Sequence, residues 1–335
     1  MVNIEIAFKK RIPSIFIVAS PLQALCAIAT IRNLEITDYK IYVLIFHGIR
    51  DEQTKMVVET FGMHYELVDK RREIYPIAKR LKSLQYSNGY YRRAFVGSYV
   101  NVLFYFFALR KIANNGVVVT LDDGNITIPI LKEEYKYKNK SMFSLLNHLL
   151  LRVVSSIKKI RVKSDYYTIY EGFCPKQISI QYNDISFLFS SKCSQIKKNV
   201  FFAGTNANAY TKELNISYDS YYNFVSNVLK MLVKQYPDDQ IIYIPHGNFD
   251  DTKIRNFCIM NNIVFDRPDK CIELYIGDLD YCPKALYGLT SSCLYTIRKL
   301  FPMIEVKNVL FGYNNDYINI SDYYQKNGIE KLILV

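Results

Sequence analysis

Short apolar runs alternate with helical patterns along this chain, and that alternation restricts it to few fold classes. Ile15–Ala19 is a β-branched and aromatic run typical of a buried strand. Ser20 can then cap a helix, with Pro21 suited to its first position, and another apolar run follows at Lys40–Phe46. Strand–helix–strand units of this kind build parallel sheets. We therefore predict an α/β fold.

The alternation occurs in two series, and a chain of 335 residues is long enough for two domains. We predict domains at 1–190 and 191–335, with 125–165 an insertion of one or two helices. The second series contains apolar residues spaced as on a helix between 221 and 232. Further predicted strands are Tyr65–Val68, Ala94–Val96, Val117–Leu121, Val200–Ala203, Gln240–Ile244, Ile263–Phe265, Tyr287–Leu289 and, as the last, Lys307–Phe311.

The charge of the chain favours an anionic partner. Its formal net charge is +12, which suits a nucleotide donor, an acidic glycan, an anionic membrane or a nucleic acid. Nucleic acid is disfavoured because the basic residues are scattered and no recognised binding module appears. Ser141–Arg152 is amphipathic and flanked by lysines, which fits either a core-facing helix or a peripheral membrane contact.

The sequence predicts a cytoplasmic protein, peripheral at the inner face of a bacterial cell membrane. No secretory signal is visible, and no apolar run reaches the ~18–20 residues of a spanning helix. The seven cysteines form no CxxC pair, so we expect buried or free thiols in a reducing compartment. A homodimer is left open.

Asp122-Asp123-Gly124 follows a predicted buried strand. A carboxylate at a strand end, partly shielded from water, can act as a general base for a hydroxyl group. Two neighbouring acids together with substrate phosphates can also bind Mg²⁺. An ordinary turn explains the same three residues, because Asp-Gly is common in turns.

Pro245-His246-Gly247 follows another predicted strand. The imidazole of His246 can donate a hydrogen bond to a departing phosphate and offset its developing charge. A structural histidine is the alternative. His47, in Phe46-His47-Gly48, also follows a strand and is a weaker candidate for acceptor contact.

Ser291 and Ser292 stand where a helix is predicted to begin. Hydroxyl groups and free amides at a helix N-terminus can hold an anion, although a plain serine N-cap would need only one of them. The chain has no Walker sequence, no GxGxxG and no G-x-S-x-G, so a P-loop, a dinucleotide site and a hydrolase elbow are not indicated.

Taken in order, these three motifs resemble those of bacterial sialyltransferases of glycosyltransferase family 52, the lipooligosaccharide and capsule family, and more distantly the bacterial polysialyltransferases. The similarity extends to Ser20–Gln23, Phe95–Ser98, Gly204-Thr205 and Ile272–Leu274, and so spans most of residues 14–312. The motifs are short, and their order and spacing carry the resemblance.

The resemblance implies a GT-B-like fold of two Rossmann-like αβα domains facing a central cleft. It implies an inverting, metal-independent transfer of sialic acid from CMP-sialic acid to a terminal sugar, galactose, of a bacterial surface glycan. Residues 1–190 would be the acceptor side, with Ser20, Gln23, His47 and Gly97 as candidates. Residues 191–335 would bind the nucleotide sugar.

The resemblance also assigns roles to individual residues. Asp122 or Asp123 would be the base, and His246 would assist departure of the CMP phosphate, which Ser291 and Ser292 would hold. The remaining donor-binding candidates are Gly204, Thr205, Pro245, Gly247 and Glu273.

The chain departs from the family's pattern in two places, and the identity of the donor is a separate open question. Gly247 replaces the proline of the family's His-Pro form. The family can draw its base from the region after Gly204, where Glu213 and Asp219 compete with the acidic pair. Some members resemble hexosyltransferases, so a UDP-sugar donor is the alternative to CMP-sialic acid.

Overall fold

The computed structural model describes residues 9–82, 90–135, 142–189, 195–247, 252–312 and 315–334. The chain divides into two compact units, Met1–Ile185 and Ser186–Val335. The sequence placed the division at 190/191, a few residues later. Each unit is built around its own parallel sheet with helices in the connections, which confirms the predicted α/β class.

The first unit contains a seven-stranded parallel sheet in the order β3-β2-β1-β4-β5-β6-β7. The chain leaves β1 towards one edge and returns to β4 on the other side of β1. This places the topological switch point between β1 and β4, where ligands of open α/β sheets bind beyond the carboxyl ends of the strands. The strands are β1 (Ser14–Val18), β2 (Tyr39–Ile45), β3 (Tyr65–Asp69), β4 (Arg93–Val96), β5 (Val117–Thr120), β6 (Asp165–Thr168) and β7 (Ser179–Tyr182).

The helices of the first unit fill the connections between these strands. The first begins as the sequence predicts, with the Ser20 side chain accepting from Gln23 N and Pro21 at the first position. The helices are α1 (Pro21–Asn33), α2 (Ile49–Thr60), α3 (Lys70–Glu73), α4 (Ile77–Leu81), α5 (Val102–Lys111), α6 (Thr127–Leu131) and α7 (Met142–Ile157), with a 3₁₀ turn at Gly124–Ile126.

The second unit contains a six-stranded parallel sheet in the order β10-β9-β8-β11-β12-β13. Here the switch point lies between β8 and β11. The strands are β8 (Ile196–Ala203), β9 (Gln240–Ile244), β10 (Val264–Phe265), β11 (Cys282–Gly288), β12 (Glu305–Phe311) and β13 (Glu330–Leu334). The helices are α8 (Ala207–Leu214), α9 (Tyr218–Gln235), α10 (Thr252–Met260), α11 (Ile272–Asp278), α12 (Ser292–Leu300) and α13 (Asn315–Lys326).

Each unit buries its own hydrophobic core. In the second unit the predicted helical spacing is confirmed, because α9 buries Tyr221, Phe224, Val225, Val228, Leu229 and Leu232. In the first unit the strands pack against α5 and against Leu151 and Val154 of α7. Burial of these faces is the main force that holds the helices on the sheets.

Three strands were not predicted. Strands β6 and β7 follow the lysine-rich stretch interpreted as an insertion, yet β6 joins the sheet beside β5. Strand β13 follows the strand that was predicted to be the last, and pairs with it along Lys307–Phe311. β7 escapes prediction because it is only partly buried and lacks a continuous apolar run, and the polar ends of the buried β6 hide that strand. β13 contains the short apolar run Leu332–Leu334 but is only partly buried.

Two further findings bear on the sequence predictions. Cys282 is disulfide-bonded, so the expectation of thiols throughout is wrong for it; Cys26, Cys174, Cys258, Cys271 and Cys293 are free. Cys282 pairs with Ile196 of β8, and its backbone N donates to the Gln195 carbonyl oxygen at 2.8 Å. Among the described residues, no helix is long and apolar enough to cross a membrane.

Candidate functional site

Asp123 lies beyond the carboxyl end of β5 and is held by two side chains from neighbouring strand ends. Its Oδ1 accepts a hydrogen bond from Gln23 Nε2 at 2.7 Å, and its Oδ2 accepts one from Ser98 Oγ at 2.7 Å. Gln23 follows β1 and Ser98 follows β4, so the three residues meet at the switch point. The carboxylate is partly exposed and fixed in orientation.

Gln23 itself is fixed from two sides. Its Oε1 accepts from Ala19 N at 2.7 Å, and its backbone N donates to Ser20 Oγ at 3.3 Å. Gly97 gives the side chain room, because a Cβ at this position would lie 2.5 Å from Gln23 Oε1. The acceptor-side candidates Ser20 and Gly97 therefore position Gln23, the third candidate, which contacts Asp123.

Asp122 has a different environment from its neighbour. It is fully buried, and it accepts hydrogen bonds from Thr168 Oγ1 at 2.6 Å and from Ile169 N at 2.7 Å. Cys26 Sγ lies 3.8 Å from its Oδ2. The side chain joins β5 to the end of β6 and to α1, an arrangement that favours a structural role over contact with a substrate.

Burial raises the pKa of both carboxyl groups. For Asp122 the loss of hydration raises the pKa to about 7, against the lowering effect of the bonds from Thr168 and Ile169. For Asp123 burial again raises the pKa, while the bonds from Ser98 and Gln23 and the positive charge of Arg50 act against the rise. A raised pKa makes an ionised Asp123 a stronger base.

His47 lies apart from this cluster, after β2. Its Nε2 is 3.7 Å from Asp69 Oδ2, its side chain is half exposed, and its backbone adopts φ +63°. The backbone N of His47 donates to Asp51 Oδ2 at 2.6 Å. His47 and Asp51 line a pocket of about 480 Å³ around the start of α2. This pocket is a second acceptor-side candidate in the first unit.

In the second unit, the predicted donor residues follow three adjacent strands. Ala203 of β8 pairs with Ile244 of β9 and with Gly288 of β11. Gly204 and Pro245 therefore leave the sheet at the same level, followed by Thr205 and His246. Since β8 lies between the other two strands, the ends of β9 and β11 are about 10 Å apart.

Gly204 permits a close approach of β8 to β9. A Cβ here would lie 2.5 Å from Tyr243 Oη and 3.2 Å from the Ile244 carbonyl oxygen. Gly204 N donates to the same carbonyl oxygen at 2.8 Å. Beyond it, Thr205, His246 and Gly247 are half-buried and Pro245 is buried, so the side chains of Thr205 and His246 stay accessible at this edge.

The turn between β11 and α12 is strained. Thr290 adopts φ +40°, which is unfavourable for a β-branched residue. The buried Asn308 side chain holds this conformation, because its Oδ1 accepts from Thr290 N at 2.7 Å and from Thr290 Oγ1 at 3.1 Å. The strain is retained directly before the Ser291-Ser292 pair, where it sets the start of α12.

Ser291 is the N-cap of α12, but its side chain makes no capping hydrogen bond to the helix. By contrast, Ser217 caps α9 through a bond from Ser220 N at 3.0 Å. Both Ser291 and Ser292 are partly exposed. The start of α12 thus offers hydroxyl groups and the positive end of the helix dipole to an anion.

Glu273 supports this helix from the side. It is buried, its Oε1 accepts from Thr296 Oγ1 of α12 at 2.7 Å, and burial raises its pKa. Cys293 lies near it, and burial together with the Glu273 charge raises the pKa of the thiol to about 12. A raised pKa disfavours the thiolate form of Cys293. The position of Glu273 favours support of α12 rather than contact with the donor.

The two alternative bases lie on helix surfaces. Glu213 is exposed near the end of α8 and accepts a hydrogen bond from the hydroxyl group of Tyr317. Asp219, in the first turn of α9, is exposed and forms an ion pair with Lys253 at 2.9 Å. Since α8 rises about 1.5 Å per residue, Glu213 is carried away from the strand end that α8 follows.

Sequence reasoning missed some of the residues that shape these sites. Ser98 was quoted within a motif but was not among the predicted site residues. Thr168 was missed because β6 was not predicted. Asn308 has a recognisable signal, a polar amide within the apolar strand Glu305–Phe311.

Within the described ranges, no group of three or more His, Cys, Asp or Glu side chains is arranged to hold a metal ion. Asp122 and Asp123, the candidate pair for Mg²⁺, bind different partners: Thr168 and Ile169 in one case, Gln23 and Ser98 in the other. Each carboxylate is therefore already committed to hydrogen bonds within the first unit.

Comparison with known proteins provides a structural likeness. No family model and no curated protein matches the chain. A Listeria monocytogenes crystal structure, described as a candidate UDP-N-acetylglucosamine 2-epimerase, matches it with a TM-score of 0.51 at 10% sequence identity. The match covers 95% of this chain and 89% of that one. At this identity the likeness concerns the fold alone, which is GT-B-like, with two Rossmann-like αβα domains.

Proposed function

We propose that this protein is an inverting sialyltransferase related to glycosyltransferase family 52. It would move sialic acid from CMP-sialic acid to a terminal sugar, galactose, of a bacterial surface glycan. The motif resemblance supplies the donor and the acceptor class. The coarser proposal, a carbohydrate-active enzyme that uses a nucleotide sugar, has additional support from the likeness to a protein whose name includes UDP-N-acetylglucosamine.

The observation that carries the proposal is the carboxylate of Asp123. It lies at the switch point, it is partly exposed, and two neutral donors fix its orientation. Neither Gln23 nor Ser98 neutralises its charge, so it remains able to accept a proton. A positioned carboxylate of this kind contributes about 10²–10⁴-fold to a rate through general-base catalysis.

In the second unit, the proposal places the CMP phosphate at the start of α12. Ser291 and Ser292 would donate hydrogen bonds to it, and His246 would donate from the end of β9. These groups would offset the negative charge that develops on the phosphate as it departs. The strained Thr290 would hold the serine pair in the orientation that this contact needs.

The reaction balances with these groups alone. The acceptor hydroxyl oxygen forms a bond to the anomeric carbon of sialic acid as the bond from that carbon to the phosphate oxygen breaks. The hydroxyl proton passes to Asp123, and CMP leaves carrying the bonding electron pair. Attack opposite the leaving group inverts the anomeric centre.

No metal ion is needed for this balance, so we expect treatment with EDTA to leave the rate unchanged.

The direct test is incubation with CMP-sialic acid and a galactose-terminated acceptor, with the sialylated product and free CMP measured over time. We expect both to form, and slow CMP release without acceptor. If neither transfer nor donor hydrolysis occurs, the proposal is wrong.

The second candidate is a hexosyltransferase that uses a UDP-sugar. It is favoured because the name of the structurally similar protein includes a UDP-sugar. A thermal-shift panel of CMP, CMP-sialic acid, UDP and UDP-hexoses separates the two, because the preferred nucleotide stabilises the folded state most. Larger stabilisation by UDP compounds would indicate that the transferred sugar is a hexose rather than sialic acid. The proposed role of Asp123 would not change.

A further inference from the structure

Helix α7 carries apolar side chains on the face that it turns to solvent. Leu145, Leu146, Leu149, Val153 and Ile157 are 49%, 59%, 59%, 46% and 46% exposed. Four of them recur every four residues, which places them in one line along the helix. We refer to these five residues as the α7 stripe.

The opposite face of the same helix is already in use. Leu151 and Val154 are almost fully buried in the core of the first unit, and Asn147 is buried as well. The helix is therefore apolar on both sides, a pattern that normally belongs to a helix covered all round. Since one side faces the core, the stripe on the other side lacks a cover within the described chain.

A second element adds apolar surface beside the stripe. Arg80 of α4 donates to Asn147 Oδ1, which places α4 next to the first half of α7. On α4, Ile77 is 60% exposed and Leu81 is 45% exposed, and they stand four residues apart on one face. The apolar surface is thus shared by two helices.

In the sequence between Glu134 and Asp165, which contains the stripe, all charged residues are basic. Residues 135–164 contain eight Lys and Arg and no Asp or Glu. Three lysines directly precede the helix in the sequence, at 136, 138 and 140. Arg152 within the helix and Lys159 and Arg161 after it are exposed. Apolar side chains bordered by cations match the surface of an anionic membrane. The cations can meet the negative headgroups, and the apolar side chains can reach the acyl chains.

We propose that the α7 stripe docks this protein on an anionic lipid bilayer, with α7 lying in the plane of the interface. A second copy of the chain would be a poorer occupant, because symmetric pairing through α7 would bring the same cationic flanks together. An anionic surface would instead attract these cationic flanks. The proposal does not depend on which sugar nucleotide the protein uses.

The test is co-sedimentation of the full chain with vesicles of phosphatidylcholine, alone or with about 30% phosphatidylglycerol, a stand-in for an anionic leaflet. We expect binding to the anionic vesicles at about 0.1 M NaCl, and much weaker binding at about 1 M, where charges are screened within ~3 Å. Leu145→Ser/Leu149→Ser should lower the partition coefficient by about 10-fold or more, because two apolar anchors are lost.

A matched control comes from α10 of the other unit. Ile259 and Met260 are 65% and 74% exposed, so Ile259→Ser/Met260→Ser removes as much exposed apolar surface outside the stripe. We expect this variant to bind like the wild type. Arg152→Gln/Lys159→Gln keeps the stripe and should weaken binding to anionic vesicles only. Circular dichroism and thermal melting check that each variant folds.

Three results would overturn the proposal. The first is equal binding to neutral and anionic vesicles or no binding to either. The second is wild-type binding by a folded Leu145→Ser/Leu149→Ser variant. The third is a dimer, detected by light scattering, that requires the stripe and forms while vesicles are not bound. That result would assign the stripe to a second copy of this chain.

Discussion

Two adjacent aspartates in this protein have opposite surroundings. Asp122 is enclosed by Thr168, Ile169 and Cys26, whereas Asp123 is partly exposed and bound by Gln23 and Ser98. Consecutive side chains at a strand end point to opposite sides, so one carboxylate turns inward and the other towards the edge of the sheet. The sequence could identify the aspartate pair but could not show that its two members have different surroundings, because the burial of Asp122 depends on contacts with the end of β6.

The orientation of Asp123 depends on Gln23. We expect Gln23→Met to lower kcat for transfer by about 10-fold, since a loosely held base reaches its working geometry less often. The donor KM should change little, because Gln23 belongs to the first unit. Steady-state kinetics separate the two parameters, and Gln235→Met, an exposed change at the end of α9, is the control. Unchanged kcat in Gln23→Met would show that Asp123 does not need this support.

At the scale of elements, Asp122 joins β5 to β6 and α1. Because its pKa is raised from the ordinary 3.8 to about 7, the folded protein holds its proton where the unfolded chain has released it. This stabilisation is present below pH ~4 and is lost as the pH rises through about 7. We expect the free energy of unfolding of the first unit to fall over that range, and Asp122→Asn to flatten the fall.

Chemical denaturation at a series of pH values measures this effect. The matched variant is Asp165→Asn in β6, a buried aspartate whose pKa burial also raises, but which has Arg161 as an ion-pair partner. A pH dependence that is the same in Asp122→Asn as in the wild type would contradict the structural assignment of Asp122.

The starts of α9 and α12 provide a second prediction at this scale. Ser217 caps α9, so Ser217→Ala should cost about 1 kcal/mol of stability and leave transfer unchanged. Ser291 caps no amide of α12, so Ser291→Ala/Ser292→Ala should cost less stability but lower transfer by about 10²-fold or more. His246→Ala should lower transfer to a similar extent. Thermal melting and initial rates of the same samples give both readouts.

Normal rates in both the serine and the histidine variants would show that the donor phosphate does not bind at the start of α12 and the end of β9. A loss of stability in Ser291→Ala/Ser292→Ala equal to that in Ser217→Ala would instead show that the serine pair is an ordinary helix cap.

At the scale of the whole molecule, the alternation of apolar runs and helices was sufficient to predict two α/β units. It worked because buried parallel strands are continuous apolar runs, such as Val117–Thr120, and because α9 has a regular helical spacing. The half-exposed strand β7 and the polar-ended β6 lack such runs, and β13 has only the short run Leu332–Leu334. The structure divides the chain after Ile185, and the sequence prediction divides it after residue 190.

The candidate sites were predicted less completely than the fold. Local motifs located Asp123, His246 and Ser291, since strand ends are visible in the sequence. Ser98 holds Asp123, and Asn308 holds Thr290 directly before Ser291. Both partners lie in other parts of the sequence, and only the register of the sheets brings them close. The exposure of the α7 stripe was also hidden, because an amphipathic pattern does not reveal which face the core takes.

The most direct test of this account is the rate of sialic acid transfer from CMP-sialic acid to a galactose-terminated acceptor by Asp123→Asn, compared with the wild type. We predict a fall in kcat of about 10²-fold or more, because the amide cannot accept the hydroxyl proton, with CMP affinity unchanged. Wild-type transfer by a folded Asp123→Asn variant would contradict the account.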